Sequence, residues 1–250
     1  MSDEIPVRAG LWPRAIALLI DGCLVTLVLG FLGLALFVPT GGKIRVADML
    51  VGSRTCTAQS PQVLQDLNIA LPPNFQAAHL VRCTKTLLGY VHERVLIVAG
   101  ITRSGAATVT RELTVPLDTE GLPTRPFYLD SLWFPIFAAY MLLLEWRTGR
   151  TLGKDLMDAR IQSSAGGLPT LVQVVKRFLV RFCPAILLGS LSLLPMTGLT
   201  ATTAPALSWL VWMASVLPVL VIQGNFVIEV RRGALPWHDR FAGTEVVVGR

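Results

Sequence analysis

Four stretches of this 250-residue chain are strongly apolar and carry few charges: Ala15–Val38, Phe127–Trp146, Phe178–Ala201 and Ala206–Ile228. Each is close to the roughly 20 residues that an α-helix needs to cross a hydrocarbon core about 30 Å thick. The pattern therefore predicts four spanning helices. Pro135, Pro184, Pro195 and Pro218 fall inside these runs, and packed membrane helices accommodate proline where isolated soluble helices break. The first run is longer than the apolar core of a cleavable signal peptide, carries Asp21 and leaves through Phe37-Val38-Pro39, so it is expected to stay in the mature protein.

Between the first two runs the pattern changes. Glu93–Ala99 and Ala107–Val115 have strand-like composition and alternation, with Gly100 and Ser104-Gly105 supplying a turn between them. The chain accordingly divides into residues 1–39 (N-terminus and first span), a β-rich insert over 40–125, and 126–250 with the remaining spans, their polar connection and a tail. The predicted fold is an all-α transmembrane bundle of about four helices with a small β-rich extracytoplasmic insert.

Composition agrees with a bilayer: 52% of residues are hydrophobic and 15% charged, against roughly 25% charged in soluble domains. The net charge of +6 would suit nucleic acid, but the basic residues lack interleaved aromatics, and that class is set aside. They sit instead at Arg8 and Arg14, at Arg147, Arg150, Lys154, Arg160, Lys176 and Arg177, and at Arg231, Arg232, Arg240 and Arg250. This asymmetry predicts a cytoplasmic N-terminus, middle connection and C-terminus. The nine Lys and Arg residues of Thr40–Arg125 do not oppose an external insert, because long loops cross largely regardless of charge. Cys56 and Cys83 both fall in the insert, where an oxidising compartment favours a disulfide. Cys23 and Cys183 are expected to be buried apolar residues of the spans.

Several polar residues sit in or beside the predicted membrane segments. Arg14 and Asp21 are seven positions apart, nearly two helical turns, and share a face of the first span. A carboxylate two turns deep marks an ion, proton or substrate path, or a structural ion pair that fixes helix register. Gly149 and Gly153 permit tight turns, and Thr151 with Lys154 presents a hydroxyl and a cation, but phosphate-loop spacing is absent, so no nucleotide is expected. Thr170 can cap a helix carrying Arg177 and Arg181 on one face. His238-Asp239 forms a polar pair near the end of the chain. His79, His92 and His238 are scattered, with no metal-ligand spacing, and no nucleophile–base arrangement suggests an enzyme.

Taken together, Arg14 with Asp21 in RAIALLID, TLGK at 151–154, the arginines of VVKRFLVR at 174–181 and HDRFAGTEVVV at 238–248 resemble the RDD family of small membrane proteins. The resemblance covers Arg8–Val38 and about Phe127 onward, whereas the long insert departs from the compact family pattern. It implies transport of a small solute or cation, with some members looking like sodium/proton antiporters; separately, no cofactor is expected. Asp21 would then be the central acid, flanked by Arg14, Arg177 or Arg181, with Lys154 and Asp239 closing the cytoplasmic side. Expected partners are the lipid bilayer and sodium ions or protons, with either self-assembly or membership of a membrane complex, in a bacterial inner membrane. The competing expectation is a non-transporting scaffold or accessory subunit that binds a partner through the insert.

Overall fold

The computed structural model describes residues 7–46, 52–72, 75–104, 107–192 and 224–248. The chain divides into two compact units, Leu24–Pro135 and Met1–Cys23 with Ile136–Arg250.

In the unit Leu24–Pro135, helix α1 (Leu11–Phe37) ends in a capped turn. Thr40 Oγ1 donates to the Leu36 carbonyl at 2.6 Å, and Gly42 N donates to Phe37 O at 2.7 Å with a left-handed φ of 76°. That conformation suits glycine, which has no Cβ to clash. Strands β3 (Ser53–Ala58), β4 (Phe75–Leu87), β5 (Tyr90–Ser104) and β6 (Ala107–Pro116) form an antiparallel sheet in sequence order. Leu88 and Gly89, both at positive φ, make the two-residue turn between β4 and β5, the geometry that matches hairpin twist. One face packs Leu80, Leu96, Val98 and Leu117 against Val63 and Leu64 of the short helix α2 (Gln62–Asp66). The other packs Cys83, Val95 and Ile97 with Val81. Burial on both faces explains why 95–98 is a continuous apolar run rather than an alternating one. Cys56 and Cys83 lie directly opposite each other in β3 and β4 and are disulfide-bonded.

A short parallel pair, β2 (Ile44–Arg45) with β7 (Phe127–Tyr128), brings the exit of α1 beside the segment leading to α3. Arg45 is fully buried there. Its guanidinium donates to the carbonyls of Gly42, Leu117 and Arg94 and lies 5.6 Å from the Phe37 ring centroid. Carbonyl dipoles and the ring face replace the water that this cation loses.

The other unit contains the start of α1, the end of α3 (Trp133–Thr148), α4 (Leu152–Leu156), α5 (Leu171–Ser192) and α6 (Trp237–Ala242). It also holds a three-stranded antiparallel sheet of β1 (Val7–Arg8), β9 (Thr244–Val248) and β8 (Ala159–Ser163). Ala9, Ala159, Ile161 and Val246 form its core. At the start of α5, Gln173 N donates to Thr170 Oγ1 at 3.3 Å and Thr170 N donates to Gln173 Oε1 at 2.9 Å, a reciprocal capping box.

The expected all-α bundle of about four helices is overturned. Among the described residues the chain forms three sheets, with 30% strand, and two helical segments, Leu11–Phe37 and Leu129–Thr148, are long and apolar enough to cross a membrane. The physical reason is non-local pairing. β8 and β9 are five residues each and meet across the chain, Ser163 opposite Thr244, so no hairpin turn announces them. α5 covers the first part of the expected third span, whose remainder lies outside the described residues together with most of the fourth. Cys23 is exposed on α1 rather than buried, on a helix whose Leu19, Leu27, Val28 and Phe31 are also exposed.

Candidate functional site

The first turn of α4 wraps the carboxylate of Asp21, which is 0% exposed. Tyr140 Oη and Gly153 N donate to Asp21 Oδ1 at 2.7 and 2.8 Å, and Thr151 Oγ1 donates to Oδ2 at 2.5 Å. Each residue of 151–154 has a separate task. The Thr151 hydroxyl also accepts from Lys154 N at 3.3 Å, capping the helix, and Leu152 N donates to Tyr140 Oη at 3.0 Å. At Gly153 an added Cβ would collide with the carbonyl of Ala17 and come within 3.0 Å of Asp21 Cγ. Only glycine lets α4 approach α1 this closely.

Beside this pocket runs a chain of buried charges. Lys154 Nζ pairs with Glu145 Oε1, and Glu145 Oε2 lies 3.2 Å from Arg177. The Nε of Arg177 lies 2.6 Å from Asp239 Oδ1, and Arg14 lies 2.6 Å from Asp239 Oδ2. Arg14 Nε also donates to Ala9 O at 3.0 Å. Five charges on α1, α3, α4, α5 and α6 thus alternate in sign, cation at both ends. Asp21, a third carboxylate, accepts from neutral donors instead.

Lys154 and Asp239 stand beyond the helices that could span. Burial lowers the Lys154 pKa against the opposing pull of Glu145. For Asp239 burial alone would raise the pKa, but Arg177, His238 and Arg14 outweigh it and hold the carboxyl well below its ordinary value. Burial also pushes His238 down to about 3, with Arg177, Arg181 and Arg14 adding to it against Asp239. His238 is therefore neutral at physiological pH, its ring 5.4 Å from that of Phe226.

The geometry redistributes the residues expected to act together. Arg14 turns to Asp239, not to Asp21, and Arg177 bridges Asp239 and Glu145. Arg181 stands 5.6 Å from the Phe182 ring centroid and makes no salt bridge among the described residues. Lys154 and Asp239 do join the cluster. Tyr140 and Glu145 are site residues that the sequence analysis did not single out, although both lie on a segment long enough to span. Their polarity was itself the signal, because such groups in a membrane helix need internal partners.

The tail motif at 238–248 also acquires a physical basis. His238 and Asp239 lie on α6, and Gly243, at φ 66°, ends that helix in the left-handed conformation. Its carbonyl accepts from Gln173 Nε2 at 3.0 Å as the chain enters β9, where Thr244 is fully buried.

Among the described residues no group of His, Cys, Asp and Glu is placed to hold a metal ion. Comparison with curated proteins and with solved structures gave no match. The family model of the RDD family matches residues 95–243, more than half of the chain; the matched range takes in part of the insert and leaves out Arg14 and Asp21. With two candidate spans and this match, the chain belongs to the RDD family and is a membrane protein.

Proposed function

We propose that the chain is a non-transporting scaffold or accessory subunit, held in a bacterial inner membrane with its N- and C-termini in the cytoplasm and its four-stranded sheet outside. The observation carrying this reading is the saturation of Asp21: three donors meet a carboxylate with no solvent exposure. A carboxylate that loads and unloads ions needs access, whereas one enclosed by Tyr140, Thr151 and Gly153 fixes helix register. The Cys56–Cys83 disulfide supports placing the sheet in an oxidising compartment. Strands β3 and β6 are the sheet's edges, and edge strands can receive a strand from a protein partner.

A second reading is transport of sodium ions or protons, favoured by the buried charges from Lys154 to Arg14. Ionisable groups in membrane segments commonly line conduction paths, and self-association would supply a pathway. Asp21→Asn in sealed vesicles separates the two. The scaffold reading expects no cation-driven pH change with either protein, a stoichiometric foreign partner in mild detergent, and about 1–3 kcal/mol lost stability in the variant. A cation-driven pH change in the wild type that a folded Asp21→Asn protein lacks establishes transport instead.

A further inference from the structure

A separate cavity of about 230 Å³ lies just beyond the last turn of α3, lined by Thr148, Arg150, Arg160, Gln162, Gly167 and Leu168. Its floor depends on Gly149. At φ 69° its carbonyl accepts from Ile161 N at 2.7 Å, drawing the end of α3 against β8. A Cβ at Gly149 would stand 2.7 Å from the Ile161 carbonyl and 3.3 Å from Leu168. The Ser163–Leu168 turn forms the opposite wall, closed by Ser163 N donating to Gly167 O at 3.0 Å.

Two guanidinium groups line this cavity, and neither belongs to the charge chain described above. Arg160 Nε is buried and finds no acceptor among the described residues. Leaving a buried charged donor without a partner is costly, and it marks a place for an external acceptor. Arg150 is held by one exposed carboxylate, Asp155 Oδ1 at 2.9 Å, a pairing weak enough to yield to a better anion. The nearby Glu245 already accepts from Gln162 Nε2 at 2.8 Å and pairs with Arg8 at 3.6 Å.

We propose that this cavity binds a phosphate group, taken from the headgroup of an acidic phospholipid or from a dissolved phosphate. Guanidinium groups match phosphate oxygens with paired hydrogen bonds. The volume is several times the ~30 Å³ share of a water molecule, so the group fits with part of its ester. The position next to a helix long enough to span, with Leu152, Leu156 and Leu168 exposed, suits a headgroup at a bilayer surface.

The test uses the full chain in neutral detergent, with phosphatidylglycerol and phosphatidylcholine as lipid probes in native mass spectrometry and inorganic phosphate as the soluble probe. Phosphatidylglycerol retained over phosphatidylcholine is the expected result, with retention about tenfold weaker in Arg160→Gln. Asp155→Asn, which frees Arg150, strengthens retention. If inorganic phosphate displaces the lipid, the cavity recognises the phosphate itself; if it does not, the bilayer is the source. Equal affinity of Arg160→Gln and wild type for both probes overturns the proposal. Should Arg160→Gln fail to fold, unchanged retention in Asp155→Asn overturns it alone.

Discussion

The guanidinium of Arg177 donates through Nε to Asp239 Oδ1 at 2.6 Å, joining α5 to α6 across 62 positions of sequence. Its Nη1 donates to Glu145 Oε2 at 3.2 Å, so one side chain ties three helices through two carboxylates. Neither carboxylate has water to fall back on, because both are buried.

Removing one member of such a pair strands its partners. Asp239→Asn leaves Arg177 and Arg14 without their shared carboxylate, at a cost of about 3–5 kcal/mol. Thermal unfolding in detergent should show a large drop in Tm, while Asp155→Asn, at an exposed pair, should change stability by less than about 1 kcal/mol.

Gly153 should tolerate no side chain. Gly153→Ala places a methyl group against the Ala17 carbonyl and Asp21, so α4 must move and the Asp21 bonds break, a loss of about 1–3 kcal/mol. Gly10→Ala is the control, since nothing lies within 4 Å of its added Cβ; its melting curve should match wild type within about 1 kcal/mol.

Stability should fall on acidification in two steps. The folded-state pKa of His238 is lowered to about 3, so the unfolded chain binds a proton below about pH 6.5 that the folded protein refuses. This costs about 2 kcal/mol by pH 5. Asp239, also lowered, adds stability that is present above its unfolded pKa of 3.8 and lost below it. Chemical unfolding at a series of pH values should show both limbs, and His238→Gln should flatten the upper one, while Arg177 and Arg14 still hold the Asp239 carboxyl down and keep the lower one.

Of the four cysteines, two are joined in the sheet. Denatured, unreduced protein should therefore leave Cys56 and Cys83 closed to a thiol label, and reduction should open both. Cys56→Ser opens a crosslink between positions 27 apart and should destabilise the Leu24–Pro135 unit by about 2–4 kcal/mol.

What was legible locally was legible for local reasons. Length and apolarity marked α1 and the segment of α3, because a span must satisfy its own backbone within a single helix. The Thr170 cap needed only residues three apart, and β5 and β6 meet through a short connection. β8 and β9 stayed hidden because each is short, carries a charged residue and finds its partner far along the chain.

The sequence by itself determined that charged residues would accompany apolar helices and that TLGK and HDRFAGTEVVV would matter. Tertiary structure alone decided their pairing. Arg14 and Asp21 share a helix face, yet Arg14 reaches Asp239 while Asp21 is taken by Tyr140, Thr151 and Gly153. Spacing along one helix fixes only where a side chain starts; which acceptor it meets depends on groups that other helices bring within hydrogen-bonding distance, and folding sets that distance.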